Sequence, residues 1–193
     1  MVATAVAFAA LIVAVDRGRD RADEPEREPA PAFEGAVMPR GVRAPDFRLR
    51  DERGRPVSMR GFRGRPVVVT FLYATCEDTC PTTAQQVKGA LGLLRSGVPA
   101  LAVSVDPPRD TPARAREFLE RYDLRGRLRW VLGSRSELEP LWRGFAIQEQ
   151  LPESEHQARI TIVDANGMQR VGYPADEATP ERLAHDLRAL GAS

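Results

Sequence analysis

Apolar and polar positions change period several times along the chain. From Ala44 to Arg50, Phe47 and Leu49 alternate with polar residues, the two-residue period of a half-buried strand. Asp51-Glu52-Arg53-Gly54 supplies a turn and Pro56-Val57-Ser58-Met59 a short return strand, with Arg60-Gly61-Phe62-Arg63-Gly64 as a loop. The run Pro66-Val67-Val68-Val69-Thr70-Phe71-Leu72-Tyr73 lacks the alternation, which predicts a strand buried on both faces, as a parallel sheet requires. From about Cys80 to Arg95, Ala84, Val87, Leu91 and Leu94 recur at helical spacing. Residues 98–105 form a second buried strand. Asp106-Pro107-Pro108-Arg109-Asp110-Thr111-Pro112 predicts loop turns and a helix start, with Asp110 or Thr111 as cap and Pro112 in the first turn. That helix runs to about Tyr122, and residues 128–132 make a short strand. Ser134 and Glu137 have capping-box spacing ahead of a helix that reaches Phe145. Residues 157–163 and 169–173 pair around the turn Asp164-Ala165-Asn166-Gly167, and Thr179-Pro180 opens a last helix that ends near Leu190.

Alternating strands and helices, preceded by a β-hairpin and closed by a second hairpin and a helix, describe an α/β protein. The order is that of a thioredoxin-like fold: a central mixed β-sheet flanked by helices, with an N-terminal β-hairpin.

The first forty residues do not share this pattern. Residues 2–15 are apolar except Thr4 and carry no charge. As a helix they span about 21 Å, short of the roughly 30 Å hydrocarbon core. The segment 1–15 therefore reads as a membrane anchor or export signal, and the missing basic start predicts that the native anchor begins upstream. Residues 16–40 are charged, with Pro25, Pro29 and Pro31, and read as a disordered tether. The folded domain is expected over 41–193, tethered to a membrane by the segments before it. With 28 basic against 27 acidic residues, the chain has no nucleic-acid footprint.

The chemistry centres on Cys76 and Cys80, the only cysteines, placed where the buried strand gives way to a helix. They could form a structural disulfide, a redox pair or a metal site. Unpaired amides at a helix start favour a thiolate, whereas Glu77 and Asp78 oppose it, so the sequence leaves the direction open. Three intervening residues, rather than the two of a common redox pair, suit a shared metal ion, and two soft thiolates select Cu(I) or Zn. A third ligand is then needed. The only histidines are His156, just before the strand that begins near Ala158, and His185, which reads as a surface residue of the last helix.

The stretch from Val69 to Thr83, with Cys76-Glu77-Asp78-Thr79-Cys80-Pro81 at its centre, resembles the signature of the Sco/SenC family of copper chaperones. Ser104-Val105-Asp106-Pro107-Pro108-Arg109-Asp110-Thr111-Pro112 is similar to that family's second motif. His156, ahead of Ile160-Thr161-Ile162-Val163-Asp164-Ala165-Asn166-Gly167, is similar to its histidine. The resemblance implies a copper ion bound by Cys76, Cys80 and His156 and delivered to the subunit of cytochrome c oxidase that carries the CuA site. Other copper chaperones or thioredoxin-like reductants are further implied partners. The alternative is a thiol–disulfide oxidoreductase that uses Cys76 and Cys80 as its redox pair on exported proteins or on the oxidase subunit. Two positions depart from the family pattern: Glu77 stands where proline is usual, and Gln157 where serine is frequent.

Overall fold

Among the residues described by the computed structural model, 33–148 and 158–193, eight strands form one mixed sheet. They are β1 (Ala36–Val37), β2 (Arg48–Asp51), β3 (Pro56–Ser58), β4 (Val67–Leu72), β5 (Ala100–Ser104), β6 (Arg129–Leu132), β7 (Arg159–Val163) and β8 (Gln169–Pro174). The helices are α1 (Thr79–Gly92), α2 (Pro112–Arg121), α3 (Arg135–Gly144) and α4 (Pro180–Ala189). The anchor segment 1–15, the tether up to residue 32 and His156 lie outside the described residues.

Across the sheet the order is β1-β8-β7-β4-β5-β6-β2-β3. Strands β4, β5 and β6 run parallel, and every other neighbouring pair is antiparallel. All six residues of β4 are buried because the strand lies in the middle with helices on both faces. Its side chains alternate between two cores, as the period of two requires. Val68 and Leu72 face the layer made by α1, α2 and α4, together with Cys80, Val87, Phe118 and Leu183. Val67, Val69 and Phe71 face α3 through Leu138, Leu141 and Trp142.

Three readings of the sequence change. Residues 33–40, assigned to the tether, belong to the folded unit, which begins at Phe33. Ala36 and Val37 pair with Gly172 and Val171 of β8, and the fully buried Asp186 carboxylate of α4 accepts the Glu34 and Gly35 amides at 2.9 and 3.1 Å. Two exposed strand residues carry no periodicity, so this edge is held by backbone bonds that a hydropathy pattern does not register. Residues Met59–Phe62, expected at the end of a strand and in a loop, form a 3-10 turn that buries Met59 and Phe62. Thr111 alone caps α2, accepting the Arg114 amide at 3.2 Å, and Asp110 turns elsewhere. The β2–β3 hairpin forms as expected and docks on β6 at the sheet edge. The Ser134–Glu137 cap is present: the Glu137 carboxylate accepts the Ser134 amide at 2.8 Å.

Candidate metal centre

Strand β4 delivers the chain from the middle of the sheet into residues 73–78, and α1 begins at Thr79. The loop closes on itself where the Cys76 amide donates to the Tyr73 carbonyl at 3.2 Å. Cys76 lies in the loop and Cys80 in the first turn of α1; both are buried and not joined in a disulfide, 5% and 0% exposed. The helix start needs acceptors for its unpaired amides. The side chain of Asp78, at the capping position, supplies none. Instead the Cys76 sulfur accepts the Cys80 amide at 3.3 Å, with the Thr79 hydroxyl 3.9 Å away.

This arrangement decides the question the sequence leaves open. A hydrogen bond from the Cys80 thiol is the largest influence on Cys76, whose pKa falls to about 5. Burial opposes the change, and the Cys80 and Asp78 amides and the Tyr73 hydroxyl reinforce it. Cys80 moves the opposite way, because donating to Cys76 and burial both hold its proton. Of the two sulfurs, Cys76 is therefore the easier to ionise, and Cys80 holds its proton more tightly. The Glu77 and Asp78 side chains point to solvent, where their charge is screened, and the Asp78 amide acts for the thiolate rather than against it. Tyr73 is raised by burial first and then by its bond to the Cys76 sulfur.

A second group reaches this loop from the segment that follows β5. Asp110, nine-tenths buried, accepts the Ala74 amide at 2.7 Å and the Ser104 hydroxyl at 2.5 Å. Burial is the main reason its pKa rises to about 6; the Asp106 charge adds to this, and the Ala74 and Ser104 hydrogen bonds oppose it. Asp106 is bound by the Arg109 guanidinium and gives its own amide to Ser104 Oγ at 3.3 Å. Sequence reasoning reads both carboxylates as turn and cap residues. The signal it lacks is the parallel pairing of β4 with β5, which brings Ser104 beside Leu72 and so sets the loop that follows β5 beside the cysteine loop.

His185 stays a surface residue: its Nδ1 lies 3.0 Å from Asp186 Oδ1 and 3.9 Å from Glu34 Oε1. His156 lies outside the described residues, among which no three histidine, cysteine or acidic side chains gather as a metal cluster. The described residues contribute two soft donors to one point, a donor set that suits Cu(I).

The SCO1/SenC family model matches residues 39–192. The chain belongs to the SCO1/SenC family. A mitochondrial SCO2 homolog from Bos taurus is 29% identical over 160 residues, covering 80% of this chain and 56% of the bovine one. The structure of Bradyrhizobium japonicum ScoI with copper bound aligns with a TM-score of 0.64 at 25% identity, over 76% of this chain and 98% of that one. BsSco, the subject of a disulfide switch and described as a member of the Sco family of cytochrome c oxidase assembly proteins, aligns with a TM-score of 0.68. It covers 80% of this chain and 96% of its own at 23% identity, a likeness of fold. The chain spans 42–67% of the length of the first three curated relatives it matches. These SCO1/SenC structures share the thioredoxin-like α/β fold read from the order of elements.

Proposed function

We propose that this SCO1/SenC protein is a membrane-tethered, extracytoplasmic chaperone that carries a copper ion for assembly of the CuA site of cytochrome c oxidase. The observation that carries the reading is the meeting of Cys76 and Cys80 at the start of α1, where the Cys76 sulfur accepts the Cys80 amide at 3.3 Å. The copper bound in Bradyrhizobium japonicum ScoI and the assembly role stated for BsSco support it. Cys76 offers the more readily ionised sulfur, and Cys80 gives up its proton as it takes the cargo. His156 is proposed as the third ligand, with its imidazole neutral. Transfer then proceeds by ligand exchange with cysteines of the oxidase subunit, and the segment 1–15 with the tether holds the domain at the bilayer.

The test is copper stoichiometry of the full-length chain, in wild type and in Cys76→Ser, Cys80→Ser and His156→Ala. One copper per wild-type chain, lost from each variant, supports the reading. A wild type that binds none refutes it, and a His156→Ala variant with unchanged affinity removes His156 from the ligand set.

The opposite pKa shifts of the two sulfurs, Cys76 down and Cys80 up, favour a second reading, thiol–disulfide exchange. The Cys76 thiolate attacks one sulfur of a substrate disulfide, forming a mixed disulfide and releasing the first substrate thiolate. Cys80 then loses its proton and attacks the Cys76 sulfur, releasing the second thiolate and leaving a Cys76–Cys80 disulfide; two electrons have passed to the substrate. A thioredoxin-like dithiol would restore the reduced pair. Reductase turnover that survives in His156→Ala while copper binding is lost assigns the two tasks to separable groups.

A further inference from the structure

We infer that Asp110 is a positioning residue for the cysteine loop, holding Cys76 where it can cap α1 and meet Cys80. The inference rests on the reading of Cys76 and Cys80 as the functional pair. Asp110 is not a capping residue, since Thr111 accepts the Arg114 amide and Asp110 does not. One of its carboxylate oxygens takes the Ala74 amide at 2.7 Å, and the other takes the Ser104 hydroxyl. Ser104 is itself fixed: it is fully buried in β5, its Oγ accepts the Asp106 amide, and its carbonyl accepts Trp142 Nε1 at 2.8 Å. The Val105 amide donates to the Leu72 carbonyl at 3.1 Å, so the two strand ends are already in register.

Two points of the cysteine loop are therefore fixed from different directions. Asp110 holds Ala74 from the neighbouring loop, and the Cys76 amide reaches back to the Tyr73 carbonyl. Between them they leave the chain from Tyr73 to Cys76 little freedom, and the Cys76 sulfur is delivered to the Cys80 amide. A carboxylate suits this task because it accepts from an amide and a hydroxyl at once, with stronger bonds than a neutral acceptor makes. The outer partners of metal-binding groups act in this way: they touch no metal, and losing one costs roughly 10- to 100-fold in affinity.

The experiment uses the full chain with three substitutions. Asp110→Asn keeps the acceptor for Ala74 and removes the charge. Asp110→Ala removes both. Asp51→Ala is the control, a buried carboxylate whose partners are Arg53, Arg55 and Arg129. Three quantities are read: exchange of the Ala74 amide, the equilibrium of the Cys76–Cys80 couple with glutathione, and copper affinity by competition with a chromophoric chelator. The comparison of Asp110→Ala with Asp110→Asn isolates position from charge.

In Asp110→Ala the Ala74 amide should exchange roughly two- to tenfold faster than in Asp110→Asn, as expected for loss of a bond to a neutral acceptor. The glutathione equilibrium of the two variants should differ by about tenfold, which is about 30 mV for this two-electron couple. Copper affinity should fall by about 10- to 100-fold in Asp110→Ala and be largely restored in Asp110→Asn. Asp51→Ala should lower stability and move none of the three. The inference is overturned if Asp110→Ala and Asp110→Asn coincide, or if Asp51→Ala moves the readouts as far. A wild type that binds no copper would sink the chaperone reading alone, because the exchange and glutathione readouts need no metal. Should Asp110→Ala fail to fold, Asp110→Glu displaces the same carboxylate by one methylene and is judged by the same comparison.

Discussion

Replacing Cys80 with alanine in the metal-free, reduced protein should make Cys76 a weaker acid. The Cys80 thiol is the largest single reason that Cys76 ionises at about 5. Its removal leaves the burial that opposes ionisation and keeps the two amides and the Tyr73 hydroxyl that favour it. A hydrogen bond to a charged group contributes about 1.5–3 kcal/mol, and one pH unit corresponds to about 1.4 kcal/mol, so the midpoint should rise by about one to two pH units. The profile remains well below that of a free thiol, because the helix-start amides persist. The assay is the pH dependence of Cys76 alkylation by iodoacetamide, checked against thiolate absorbance. A midpoint in Cys80→Ala that is unchanged or lower would show that the backbone alone sets the thiolate, and would refute the sulfur-to-sulfur account.

The reduced, metal-free protein should gain stability as pH rises from about 5 toward the ordinary thiol range, because the folded pKa of Cys76 lies below its unfolded value; urea midpoints across that range give the slope. Cys80 works in the other direction, its folded pKa being raised, so its contribution is present below the ordinary thiol range and is lost above it. Asp110 is likewise raised, to about 6, so its contribution declines as pH climbs from its ordinary value to there; Asp110→Asn should abolish that decline in the same titration. Asp186→Ala should cost about 3 kcal/mol or more, since it strands the Glu34 and Gly35 amides and the Tyr173 hydroxyl; chemical denaturation with amide exchange at residues 34 and 35 measures it. Gly167→Ala should cost about 1–2 kcal/mol, because φ there is +73°, a left-handed conformation that strains any residue with a Cβ; a thermal melt shows the loss.

Most of the architecture was readable because burial imposes a period. The even apolar run of β4 and the three-to-four spacing of Ala84, Val87 and Leu91 in α1 mark a central strand and the helix laid on it. Cys76 and Cys80 stood out because they occur nowhere else and sit where those two elements join. Besides the 3-10 turn at Met59–Phe62, three features escaped, each for a reason. β1 is two exposed residues held by its backbone, so no hydropathy pattern announces it. The direction of the Cys76 shift depends on which atoms donate to one sulfur, and spacing along the chain cannot specify that. Asp110 lies 36 residues from Ala74 and meets it only because β4 and β5 are neighbours.

The attachment of the N-terminal segment also has a mechanical meaning. A pull transmitted through Phe33 falls first on Asp186 and on the short β1–β8 ladder. The cysteine loop hangs from β4, three places further into the sheet and beyond β8 and β7. A load applied at Phe33 would thereby meet one margin of the sheet before the strand from which the paired sulfurs hang.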